Sequence, residues 1–120
     1  MSSRSAKSRY VDVVLPVPVE RAFTYRVPDG IPPPAPGSRV LVPFGRRRAT
    51  GYVIASRKTV PRGIQVKPIA AVIDETPLLD DTLLALARLI AERYVHPLGE
   101  VLRAMLPASL KGKGRKAGDE

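Results

Sequence analysis

Proline is the feature that most limits what this chain can become. Thirteen of its 120 residues are proline, and ten of them fall early, at Pro16, Pro18, Pro28, Pro32, Pro33, Pro34, Pro36, Pro43, Pro61 and Pro68. A proline fixes its own φ, donates no backbone hydrogen bond and breaks helices. The first part of the chain is therefore cut into short pieces, and those pieces are rich in β-branched residues. Tyr10 to Leu15 reads as a strand that Pro16 and Pro18 bring to an end. Ala22 to Val27 reads as a second, with Phe23 and Tyr25 pointing one way and Thr24 the other. Pro28-Asp29-Gly30 is a turn signal, and the proline-rich run from Ile31 to Gly37 is stiff and extended. Arg39 to Pro43 and Thr50 to Arg57 are further strands, joined by a basic turn from Phe44 to Arg48. Gly51 inside the fourth strand predicts a bulge or a close backbone approach. Residues 58–65 form a loop containing Pro61 and Gly63, and Val66 to Ile73 is a fifth strand.

The pattern changes at Asp74. Asp80 or Asp81 can cap a following helix, on which Leu83, Ala87, Ile90 and Tyr94 recur at helical spacing. His96-Pro97 ends that helix, and Leu98 to Met105 forms a second, stopping before Pro107. The predicted fold is mainly β with α: a small OB- or SH3-like β-barrel of about five or six short strands over residues 10–73, then a helical hairpin within 74–110. Residues 1–9 are expected to be a disordered basic N-terminus, and 111–120 a basic flexible tail or linker stub. No internal repeat is visible. The length suits one domain with a modest core, and 44% apolar residues argues against wholesale disorder.

The formal charge of +9 is unevenly spread. Residues 1–73 carry thirteen Lys or Arg against three acids, whereas residues 74–106 carry three against six. The basic field thus belongs to the β part, and such a field attracts polyanions. Arg46, Arg47 and Arg48 share one turn, and Arg57, Lys58, Arg62 and Lys67 follow. Loops at one end of a barrel would bring these together to track a phosphate backbone. Phe23, Tyr25, Phe44 and Tyr52 are candidate stacking faces, with core packing as the competing role, favoured for Phe23 and Phe44. Nucleic acid is the commonest partner for such a surface; an anionic membrane surface and ribosomal RNA are the others.

Catalytic chemistry finds little support. The chain has no Cys and one His, which excludes thiolate chemistry and gives neither a metal cluster nor a triad. His96 is better read as a helix-end cation or polar cap. There is no phosphate loop and no dinucleotide fingerprint. Asp74, Glu75, Asp80 and Asp81 gather where a helix dipole favours them. No enzyme activity, metal or cofactor is expected. Neither a membrane-length apolar stretch nor a signal peptide is present, so an intracellular location is the default expectation.

The order of the motifs adds to this. VVLPVPVERAFTYRVPDG, GSRVLVPFGRRRATGYVI, VKPIAAVIDETPLL and ALARLIAERYVHPLGEVLRAMLP follow one another through nearly the whole chain. Together they resemble the N-terminal 3′-end DNA-binding domain of the PriA (primosomal protein N′) family, over about residues 10 to 110. RVLVPFG, FTY and YVHPLGEVLRAMLP in this order are specific, although each alone is weak. The resemblance implies capture of the 3′ end of the nascent leading strand at stalled replication forks, during replication restart. It implies a shallow pocket for the terminal nucleotide built from Phe23, Thr24 and Tyr25, from Gly45, and from Lys67. The arginine turn would then lie on duplex or template phosphates. The family often carries Asp where this chain has Thr24, and a hydroxyl accepts a hydrogen bond without charge assistance. Free-end recognition is therefore expected to be weaker here or to rest more on shape.

The family protein continues into a winged helix, ATPase lobes and a zinc-binding segment that this chain lacks. The chain alone is expected to be a monomeric, non-enzymatic DNA-binding module of the bacterial cytoplasm and nucleoid. Its expected partners are fork DNA and the helicase core of the same family protein. Whether it is an excised domain, a truncated product or a stand-alone protein stays open. So do three rival readings: a structural or docking module using its Leu-rich hairpin, an RNA-binding barrel, and a small enzyme of unrecognised type.

Overall fold

The computed structural model describes residues 9–18, 21–60 and 62–106. Five strands form, the first four close to where the β-branched runs predicted them: β1 (Tyr10–Val14), β2 (Phe23–Arg26), β3 (Arg39–Phe44), β4 (Arg47–Arg57) and β5 (Ala71–Val72). They form one antiparallel sheet in the order β2-β1-β4-β3-β5. Two helices follow, α1 (Asp81–Arg93) and α2 (Leu98–Met105).

The sheet is not closed into a barrel, which corrects the expected architecture. Closure fails at the fifth strand, predicted over Val66–Ile73 but observed only at Ala71–Val72. Pro68 has no N–H to give to a ladder. The segment before β5 instead touches the other edge of the sheet at one residue. Arg26 N–H donates to the Lys67 carbonyl at 2.9 Å, and Ile69 N–H donates to the Arg26 carbonyl at 2.9 Å. Ala70 N–H then turns to the Leu41 carbonyl of β3 at 2.7 Å. One short segment therefore straddles both edges without making a continuous ladder.

Alternation along the strands buries a different set on each face. Val11, Val13, Tyr25, Val40, Val42 and Val53 pack on one face with Leu15, Val27 and Ile69. Val14 and Tyr52 pack on the other against Leu79 and the helices. Gly51 is the predicted close approach: a Cβ there would lie 2.3 Å from Val13 Cγ1. The irregularity in the ladder sits nearby at Ile54, where the register shifts between the Asp12–Ala55 and Val13–Val53 pairs.

Asp80 caps α1, its Oδ1 accepting from Leu83 N–H at 2.9 Å. The buried face of α1 is Leu84, Ala87 and Ala91, with Ile90 half-buried. Leu83 and Tyr94, expected on that face, are 37% and 69% exposed. Leucines occupy two neighbouring faces of this helix, so spacing alone does not choose between them, and the small Ala87 and Ala91 admit the closer contact. The helix ends with His96 N–H donating to the Ala91 carbonyl at 2.9 Å. Val95 takes the left-handed position where glycine is usual, at φ 51.

Asp74 belongs to the core rather than to a helix-start cluster. Its carboxylate accepts from Arg39 Nε at 2.8 Å, from Arg39 Nη2 at 3.0 Å and from Arg39 N–H at 3.0 Å. This pair ties β3 to the link that leads into the helices. Arg9 is also anchored, donating from Nη1 to the Ile31 carbonyl at 3.1 Å and from Nη2 to the carbonyls of Val27 and Pro28. The rest of the basic N-terminus and the tail at 111–120 lie outside the described residues.

Candidate nucleic-acid interface

β2 is an edge strand, and its open edge forms one wall of a cleft of about 340 Å³. The main chain of Arg26 points out of the sheet, since its N–H and carbonyl bond Lys67 and Ile69 rather than β1. Along a strand the outward main-chain groups recur every second residue. The N–H and carbonyl of Thr24 therefore point to the same open edge. Phe23, Thr24 and Tyr25 line this wall, Pro43, Phe44 and Gly45 the second, and Ile64, Gln65 and Lys67 the third.

Each wall has a local cause. Gly45 and Arg46 make a two-residue turn between the paired Phe44 and Arg47. Gly45 has φ 65, the positive value that such hairpin turns require at their first central residue. A Cβ on Gly45 would meet nothing within 4 Å, so the surface above it is open for a ligand. Lys67 is held by its backbone, through its carbonyl, while its side chain is exposed. Tyr25 is the floor. It is buried, and its hydroxyl donates to the Pro43 carbonyl at 2.8 Å, which links β2 to β3 beneath the cleft. Burial pushes the Tyr25 phenol above its ordinary pKa. Tyr25 thus offers no free ring face for stacking.

Phe23 and Phe44 are half-buried and meet edge to face, with ring centroids 5.5 Å apart. The Arg21 guanidinium sits 4.9 Å from the Phe23 ring centroid. Tyr52 is lost as a stacking candidate, because it is buried under the helices and its phenol is likewise raised by burial.

The five residues expected to form a pocket, Phe23, Thr24, Tyr25, Gly45 and Lys67, all line this one cleft. Arg21, Ala22, Pro43, Phe44, Ile64 and Gln65 complete it. Only the basic charge of Arg21 and the exposed apolar side chain of Ile64, in a basic loop, hint at the additional residues in the sequence.

The basic residues do not gather into one patch. Arg46 is the turn, but Arg47 and Arg48 already belong to β4 and leave on opposite faces. Arg57 ends the same strand, ten residues from Arg47, which is about 30 Å of extended chain. Lys58 follows Arg57 and is exposed. Arg57 Nη1 lies 3.8 Å from Asp12 Oδ1. Arg62 is exposed, two residues before Ile64 on the loop of the third wall. Of the cations, Arg21 and Lys67 line the cleft itself.

Thr24 has a carboxylate partner. Asp12 stands directly opposite it on β1, and Thr24 Oγ1 donates to Asp12 Oδ1 at 2.7 Å. His96 Nε2 lies 3.9 Å from Glu100 Oε1 at the exposed start of α2. Among the described residues, no group of three or more His, Cys, Asp or Glu could hold a metal ion. No helix there is long and apolar enough to cross a membrane.

Comparison with known proteins identifies a family. The family model of the PriA 3′DNA-binding domain (3′BD) matches residues 12–107. The replication restart protein PriA of Bacillus subtilis is 35% identical over 100 residues, covering 82% of this chain and 12% of that protein. PriA of Treponema pallidum is 37% identical over 105 residues, covering 82% and 16%. PriA of Haemophilus influenzae is 34% identical over 105 residues, covering 86% and 14%. The chain thus spans 12% to 16% of the length of these relatives. The matched residues include those that line the β2 cleft, and the chain belongs to the PriA 3′DNA-binding domain family.

Proposed function

We propose that the cleft seats the last nucleotide of a DNA strand, and that its ligand is the 3′ end of the nascent leading strand at a stalled fork. The observation that carries this reading is convergence: Phe23–Thr24–Tyr25, Gly45 and Lys67, from three separate stretches of sequence, line one open cleft. Its volume of about 340 Å³ falls among small-ligand pockets. The walls supply an aromatic face at Phe23, an unobstructed glycine, outward main-chain groups at Thr24 and a cation at Lys67. Arg46, Arg47, Arg57, Lys58 and Arg62 contact phosphates of the flanking strands. In the bacterial cytoplasm this ligand places the domain at the nucleoid.

Lys67→Ala tests the reading. It is expected to weaken binding to a fork carrying a nascent leading strand about two- to fivefold, an exposed charge-assisted contact, while leaving binding to internal single-stranded DNA less affected. Equal losses on both ligands overturn it. Affinity for both should fall steeply with salt as counterions are released.

A second role rests on a separate observation. Leu86 and Leu89 on α1 are 45% and 59% exposed, and Val95 after it is 79% exposed. In a longer protein of this family these residues would dock the hairpin on the helicase core. Leu86→Glu with Leu89→Glu should then leave DNA binding by the isolated domain unchanged and impair restart activity only when the core is attached.

A further inference from the structure

We infer that Arg26, Tyr10 and Arg57 form a second DNA contact, on the sheet face opposite the one that buries Tyr25. There an internal stretch of single-stranded DNA stacks a base on Tyr10 and sets phosphates on the two arginines. The inference rests on the DNA-binding family and not on the strand-terminus reading, since such a contact needs no free end. The β1–β2 register sets Tyr10 directly opposite Arg26, and the β1–β4 register sets it directly opposite Arg57. Directly opposed residues carry their side chains on the same face. The three therefore make one row across β2, β1 and β4, with the ring in the middle and the arginine Cα atoms about 10 Å apart, two strand spacings.

Alternation fixes which face this is. Val11 and Tyr25, the chain neighbours of Tyr10 and Arg26, are buried in one core, so Tyr10 and Arg26 point the other way. Asp12 lies on their side, and its Oδ1 is 3.8 Å from Arg57 Nη1, which puts Arg57 there too. The helices cover this face only farther along, over Val14, Tyr52 and Ile54. Arg88 of α1 donates from Nη2 to the Ile54 carbonyl at 3.2 Å. Arg26 is exposed, Tyr10 is half-buried, and the Arg57 side chain is 40% exposed. Among the described residues, neither core takes in Tyr10.

An aromatic ring between two cations suits a polyanion that carries flat apolar groups between its charges. Single-stranded DNA is such a polymer, and any of its bases can stack on a tyrosine. An anionic membrane offers the charge but no ring to stack. Asp12 holds Arg57 and offsets one of the two positive charges, so the ring and not charge alone carries the contact.

The test measures fluorescence anisotropy on two closed circles, which offer no strand end: a single-stranded oligonucleotide circle and a duplex circle. Tyr10→Ala should weaken binding to the single-stranded circle about fivefold or more, the worth of one stacked base. It should lose much less on the duplex circle, whose bases stay paired. Tyr10→Phe keeps the ring and should recover most of the binding. Arg26→Gln and Arg57→Gln should each weaken binding to both circles and lower the salt slope by about one. Melting curves confirm folding, and Tyr10→Leu, which keeps apolar bulk without a ring, carries the same expectation should the alanine variant unfold. Undiminished binding of the single-stranded circle by Tyr10→Ala and Tyr10→Leu overturns the inference, and so do equal losses on the two circles. Lys67→Ala, in the cleft, should bind the single-stranded circle better than Tyr10→Ala does, and the reverse order also overturns it. Failure of the terminus reading shows separately, as equal losses for Lys67→Ala on fork ends and internal strands.

Discussion

Tyr25→Phe separates the floor of the cleft from its walls. The tyrosine is 5% exposed, and its hydroxyl bonds the Pro43 carbonyl at 2.8 Å. Phenylalanine fills the same space but leaves that carbonyl without its partner, a loss of about 1–2 kcal/mol. For a domain of this size, the melting temperature should fall by about 5–10 °C. The variant should also change the alkaline limb of stability. Burial raises the phenols of Tyr25 and Tyr52 above the ordinary value of 10.0, so the folded state keeps protons that the unfolded chain releases. Stability from these groups is complete below pH 10 and is lost as pH climbs from there through the folded pKa values. Each phenol contributes a slope of up to about 1.4 kcal/mol per pH unit in that window. Removing one of the two should make the decline shallower. Urea denaturation at pH 8, 10 and 11 measures both effects. A variant as stable as the wild type at pH 8, or one with an undiminished alkaline slope, would refute the reasoning.

Two more perturbations test the frame around the cleft. Asp74→Ala leaves Arg39, itself 3% exposed, without its carboxylate, and should cost about 3–5 kcal/mol by denaturant titration; replacing both partners by apolar residues should recover most of that loss. Val95→Gly relieves a β-branched residue held at φ 51 and should stabilise the chain by about 1 kcal/mol, read as a higher urea midpoint.

Much of the fold is legible in the sequence for reasons that are local. Prolines and β-branched runs mark four strands closely, and Asp80 and Pro97 bracket the helices. Relations between elements are harder to read. Pro68 denies the fifth strand its ladder, and the consequence, an open sheet, depends on where that segment lands. The two leucine faces of α1 are equivalent until the sheet selects one. Among the site residues, Phe23, Tyr25, Gly45 and Lys67 can be named from motif order, but the bond from the Tyr25 hydroxyl to the Pro43 carbonyl joins residues eighteen apart that only the tertiary fold brings together. Thr24 and Asp12 are twelve residues apart, and only the β1–β2 register brings them together.

The most direct measurement compares the wild-type chain on two fork substrates that differ only at the nascent strand, one ending in a 3′-hydroxyl and the other in a 3′-phosphate. Tighter binding of the hydroxyl end, by about threefold or more, is the predicted result. Indistinguishable affinities would contradict the claim that this cleft reads the end of a strand.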